Sequence, residues 1–181
     1  TVNLLKTGLV PAKLEFMDDV SIRAVQAAKD RRLPRDAGAI LLVEMHGDPE
    51  TVGGDSQTAL ESLQASGAIQ AQIAKSKDDQ ARAWEARGAI SSSLARLKPG
   101  KIGEDICVPR SNVPAAVERI KKLSADSGMI IALFGHIGDG TLHPNIVYEP
   151  GDEAEMVRVK ENLRELARIG VDLGGVLSGE H

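Results

Sequence analysis

Apolar and polar positions along this chain fall into short blocks separated by Gly and Pro. Residues 39–45 (Ala-Ile-Leu-Leu-Val-Glu-Met) are almost continuously apolar and rich in branched side chains, which predicts a buried strand. Shorter apolar runs at 12–16, 68–73, 105–108, 129–134 and 142–148 predict further strands. The intervening blocks have helical spacing. Asp18 or Asp19 can cap a helix reaching about Asp30, with Ile22, Val25 and Ala28 on one face and Arg31 and Arg32 near its end. Residues 51–66 predict a second helix closed by Gly67, and 76–98 a long one ended by Pro99-Gly100. Ser111 or Asn112 can cap a helix with Pro114 in its first turn and Val117, Ile120 and Leu123 on its apolar face. Residues 152–173 predict the last helix, apolar at Met156, Val159, Leu163, Leu166 and Ile169.

The resulting order is βαβαβ followed by αβαββα. It lacks the long parallel repeat of a doubly wound fold. The expected class is α+β: an antiparallel sheet with helices packed on one face, built from two fused ferredoxin-like units.

Composition narrows the function. Leu, Ile, Val and Phe make up about a quarter of the 181 residues, above the roughly 20% below which disorder is expected. Only Phe16, Trp84, Phe134 and Tyr148 are aromatic, so the core must be aliphatic and a base-stacking platform is excluded. A net charge of −4 argues against binding a phosphate backbone, and no nucleic-acid partner is expected. No apolar run approaches the roughly 20 residues that span a bilayer. Cys107 is the sole cysteine, which excludes an internal disulfide framework. The expected location is cytoplasmic, with peripheral attachment at the inner membrane through partners allowed.

The densest chemistry lies in Phe134-Gly-His-Ile-Gly-Asp-Gly-Thr-Leu-His-Pro-Asn145. If the flanking strands pair as a hairpin, His136 ends one and His143 begins the next, close enough to share a divalent metal such as zinc, manganese or iron. Asn145 falls on the same face as His143, and Asp139 is suited to pin the turn by an Asx-type bond. Two loop histidines satisfying backbone carbonyls are the competing account. A second cluster, Gly174-Gly-Val-Leu-Ser-Gly-Glu-His181, ends in a carboxylate and an imidazole. Glu180 could complete a metal shell of two imidazoles and one carboxylate, with His181 as general base. A solvated terminus is the alternative. On the long helix, Arg87 could bind a substrate carboxylate as a fork, with Trp84 packed beside it; an ordinary surface ion pair is the alternative. His46 and Cys107 read as structural.

Six ordered segments together carry a family resemblance: Gly8-Leu-Val-Pro-Ala-Lys-Leu-Glu-Phe-Met-Asp18, Ile40-Leu-Leu-Val-Glu44, Trp84-Glu-Ala-Arg87, Asp105-Ile-Cys-Val-Pro109, Gly135-His-Ile-Gly-Asp-Gly-Thr-Leu-His-Pro-Asn145 and Ser178-Gly-Glu-His181. Over nearly its whole length the chain resembles the C-terminal domain of FAD-linked oxidases of the vanillyl-alcohol-oxidase type, in the group of the glycolate oxidase flavin subunit and D-lactate dehydrogenase. The resemblance implies oxidation of a small D-2-hydroxy acid, glycolate or D-lactate, to the 2-oxo acid with hydride passed to FAD. It also implies a divalent metal, zinc or manganese, on His136, His143 and Glu180. It makes His181 the base, Arg87 the ligand of the substrate carboxylate, and Asn145 a polar substrate contact. Thr141 stands where the family usually has Asn. Gly103 stands where relatives acting on dicarboxylic acids carry Lys, which weakens a dicarboxylate reading.

Residues 1–181 are thus expected to form one substrate- and metal-binding (cap) domain. The family's FAD-binding domain lies outside this chain and is its expected partner. On this expectation the isolated chain is inactive and retains little FAD. The reading allows a homodimer or an electron-transfer partner subunit. A non-catalytic ferredoxin-like domain for regulation or assembly is the alternative from another class.

Overall fold

The computed structural model describes residues 1–28, 33–34 and 36–178. In chain order the elements are α1 (Val2–Lys6), β1 (Lys13–Asp18), α2 (Asp19–Ala28), β2 (Ala39–Glu44), α3 (Pro49–Ala65), α4 (Lys77–Gly88) and α5 (Ile90–Ser93). They continue as β3 (Gly100–Gly103), β4 (Asp105–Cys107), α6 (Val113–Ser127), β5 (Ile130–His136), β6 (Thr141–Tyr148), α7 (Glu153–Asp172) and β7 (Val176–Ser178).

Short polar side chains start several helices, Asp18 at α2 as expected, whereas Asn112 precedes α6 without a side-chain cap bond. Asp18 accepts from the Ser21 amide at 2.8 Å, Asp48 from the Thr51 amide at 3.0 Å, and Asp152 from the Glu155 amide at 2.9 Å. Each satisfies a first-turn N–H that has no intrahelical partner.

The strands form one seven-stranded sheet along the path β2-β1-β5-β6-β4-β7, with β3 also paired to β6. Every pairing is antiparallel. The α+β class and the antiparallel sheet agree with expectation. From β4 to β7 the chain runs βαββαβ with spatial order β5-β6-β4-β7, a complete ferredoxin-like unit. The first half adds β1 and β2 to the β5 edge and β3 to β6, so it extends that same sheet instead of closing a second unit.

Helices cover both faces of the sheet, not the single face expected. The reason is legible in β5, where alternate residues enter different cores. Ile131 and Leu133 join Ala116, Ile120, Val159 and Leu166 of α6 and α7. Ala132 and Phe134 join Ile22 and Val25 of α2 and Ile90 of α5. A central strand apolar on both faces requires a cover on each.

Two elements depart from the predicted pattern. The stretch at 68–73 forms no strand; Ile69 and Ile73, which would share one strand face, are both exposed, Ile69 to 94%. The predicted helix at 76–98 breaks at Ala89 between α4 and α5. Gly88 and the serines at 91–93 are weak helix formers. Ala86, Ile90 and Leu94, spaced four apart, all reach one core, and the break leaves Arg87 in the last turn of α4.

Candidate functional site

β5 and β6 form the hairpin that the Gly-rich segment predicts, with Phe134 paired to His143. Its turn is tied by amides of Asp139 and Gly140 donating to the His136 carbonyl, both at 3.2 Å. Asp139 pins it as expected, accepting from the Thr141 amide at 2.9 Å. Gly140 is demanded by space and by conformation. It has φ +98°, and a Cβ there would lie 2.0 Å from the Val108 carbonyl oxygen.

This hairpin brings His136 and His143 together, with ring centroids 5.0 Å apart and planes at 86°. A carboxylate meets each ring at Nδ1. Glu15 Oε1 lies 2.6 Å from His136 Nδ1, and Asp105 Oδ1 lies 2.5 Å from His143 Nδ1. Strand register places both acids: Glu15 is the partner of His136 across β1 and β5, and the pairing of Ile106 with Leu142 sets Asp105 beside His143. A carboxylate only accepts, so each ring is assigned its proton on Nδ1 and its lone pair on Nε2. Metal-binding histidines are commonly held this way. Sequence reasoning passed over Glu15 and Asp105, since only the register reveals that they face the imidazoles.

Arg87 enters from α4. Its Nε donates to Glu15 Oε2 at 2.9 Å, and an Nη lies 2.9 Å from the same oxygen. Its guanidinium carbon sits 4.9 Å from the Phe134 ring centroid. Phe134 therefore supplies the flat partner expected of Trp84, while Trp84 lies under Lys13 at 4.7 Å. Arg87 is largely buried, so the surface ion pair is not its setting; its pair with Glu15 has side chains only 14% and 9% exposed.

Asn145 shares the face of His143 as expected and is buried, its amide donating to the His143 carbonyl at 3.1 Å. Gly103 on β3 lies against it: a Cβ at Gly103 would come within 2.9 Å of the Asn145 side-chain oxygen. His143 is buried, whereas the His136 side chain is 38% exposed. An open cleft of about 850 Å³ reaches His136 and Glu15 and carries Lys6, Lys13 and Arg110 on its walls.

Glu180 and His181 lie outside the described residues, so their expected roles are not addressed by this geometry. Ser178, the last described residue, pairs with Asp105 across β7 and β4. Among the described residues, no three His, Cys, Asp or Glu side chains gather as a metal-binding group.

The antiparallel α+β sheet thus presents a pair of carboxylate-backed imidazoles beside a largely buried arginine. Its Gly-rich segment turns strand into strand, not the strand-to-helix turn that cradles a pyrophosphate. The chain belongs to the family of FAD linked oxidases, C-terminal domain, whose profile matches residues 1–181. It is 35% identical over 179 residues to the glycolate oxidase subunit GlcD of Bacillus subtilis, covering 99% of this chain and 38% of that protein. It is 31% identical to GlcD of Escherichia coli K12, covering 99% and 36%. It is 30% identical to a probable mitochondrial D-lactate dehydrogenase of Danio rerio, covering 100% and 36%. The chain thus spans a little over a third of the length of these relatives. Among solved structures, an alkyldihydroxyacetonephosphate synthase superposes with a TM-score of 0.56 at 13% identity, over 98% of this chain and 37% of that one. That likeness speaks for the fold alone.

Proposed function

We propose that this chain is the substrate-binding domain of an FAD-dependent oxidoreductase that converts a small D-2-hydroxy acid, glycolate or D-lactate, to the 2-oxo acid. The observation that carries the reading is the pair His136 and His143, each backed by a carboxylate and set beside Arg87. The similarity to glycolate oxidase subunits and to a D-lactate dehydrogenase supports it.

In this reading Arg87 holds the substrate carboxylate, and Asn145 makes a polar contact to the bound acid. His136, His143 and Glu180 would hold a divalent ion, zinc or manganese. When bound, that ion acidifies the substrate hydroxyl. FAD, which a separate domain of the parent protein would carry, would supply the acceptor for the hydride at C2. His181 accepts the hydroxyl proton, so the products are the 2-oxo acid, reduced flavin and a protonated imidazole.

The test uses the flavin-loaded parent protein. His136→Ala and His143→Ala are expected to remove bound metal and turnover of glycolate or D-lactate. Normal turnover in either variant would overturn the assignment. The isolated chain is expected to show no turnover and little bound flavin; a strong flavin spectrum from the purified chain would count against the division of labour.

A further inference from the structure

Glu15 is 7% exposed and spends its two oxygens on different parts of the site. Oε1 accepts a hydrogen bond from His136 Nδ1 at 2.6 Å, and Oε2 accepts one from Arg87 Nε at 2.9 Å. The same strand registers Met17 opposite Phe134, whose ring lies against the Arg87 guanidinium. Arg87 is therefore seated against side chains from β1 and β5, the two strands that also carry Glu15 and His136.

We infer that Glu15 is a positioning residue that fixes the carboxylate anchor and the hydroxyl-side imidazole in one geometry. The inference rests on the proposed oxidation of a 2-hydroxy acid. The carboxylate and hydroxyl of such a substrate sit on adjacent carbons, so their binding groups must be held at one separation. A single buried carboxylate bridging both groups does this, because neither can shift without losing a charge-assisted bond. It also sets the tautomer of His136, keeping the lone pair on Nε2. The Nε edge of Arg87 is committed to Glu15, which directs the Nη1 amino group to a ligand.

Glu15→Gln tests this with little change of shape. A glutamine offers one acceptor oxygen and one amino group where two donors now point. If its oxygen faces Arg87, its amino group meets His136 and drives the imidazole to the Nε2–H tautomer. If its oxygen faces His136, two donors oppose each other and Arg87 is released. Nitrogen-resolved NMR of His136 and of the Arg87 Nε–H in the parent protein reads both cases without metal or substrate. The first case is expected to weaken metal retention about tenfold or more; the second is expected to raise KM for the hydroxy acid at least as much, with a smaller change in kcat. Unchanged tautomer, Arg87 signal, metal retention and KM in a folded variant would overturn the inference. Should Glu15→Gln fail to fold, Glu15→Asp, which keeps the charge on a shorter stem, carries the same readouts. A wild-type parent with no metal and no hydroxy-acid turnover would instead sink the proposed function, while the NMR arm would still report whether Glu15 sets the two side chains.

Discussion

His136 and His143 meet edge to face with ring centroids 5.0 Å apart, yet each leans on a different acid, Glu15 for the first and Asp105 for the second. The two supports can therefore be weakened separately. Asp105→Asn puts an amide where the Nδ1 proton of His143 now finds a charged oxygen. Metal affinity of the parent protein is expected to fall about 10- to 100-fold, read by competition with a chelating dye. Unaltered affinity would mean that His143 needs no carboxylate behind it.

Arg87→Lys keeps the charge and removes the planar fork. A hydrogen bond to a charged group is worth about 1.5–3 kcal/mol, so KM for the hydroxy acid should rise tenfold or more while kcat changes less. Steady-state kinetics decide it: an unmoved KM would remove Arg87 from carboxylate binding.

Gly140 and Gly151 allow a controlled comparison, since both have positive φ, +98° and +97°, but only Gly140 faces a crowded neighbour. Alanine at either site should cost about 1–3 kcal/mol of backbone strain. Gly140→Ala must also push the Val108 carbonyl away, so its urea midpoint should fall well below that of Gly151→Ala. Equal midpoints would show that the hairpin tip gives way freely.

Glu155, in the first turn of α7, pairs with Lys98 while accepting from the Glu149 amide at 2.7 Å. The Lys98 hydrogen bond, then the Glu149 amide, hold its carboxyl below the ordinary value of 4.5. A depressed folded value means that this stabilisation is complete above about pH 4.5 and drains away as pH falls toward the folded value. Glu155→Gln should flatten that acid limb in urea titrations run from neutral pH downward. An identical limb in the variant would assign it to other acids.

Asn162 of α7 is 3% exposed; its amide donates to the Arg158 carbonyl at 2.8 Å, and its side-chain oxygen has no partner among the described residues. An unmet buried acceptor costs about 1–3 kcal/mol. Asn162→Leu, close in volume, is expected to raise the urea midpoint. A lowered midpoint would show that the oxygen contributes more than its burial costs.

Much of the fold is written in the local pattern. The apolar alternation of α6 and α7 and the Gly-rich turn between β5 and β6 are legible because near neighbours determine them. β7 and β3 are not, being three and four residues long with Gly beside or within them; they exist through their partners across the sheet. The one-face arrangement fails for a related reason: the continuous apolar run of β5 can be read as buried, but which helices cover each side depends on the whole topology. In the site, His136, His143, Asn145 and Arg87 are conspicuous by residue type, whereas Glu15 and Asp105 look like ordinary strand-edge acids until pairing turns them toward the imidazoles. Trp84 misleads by its rarity, since the neighbour that Arg87 needs is Phe134, remote in sequence.

The alignment of β1 with β5 has a consequence for quality control. Sliding β1 by one position would exchange Glu15 for Leu14 or Phe16 opposite His136 and turn every side chain of the strand to the other face. Both cores would then receive the wrong residues together with the site. An error that disarms His136 and Arg87 would thus also spoil the packing, so a cell that discards loosely packed copies would discard the inert ones as well.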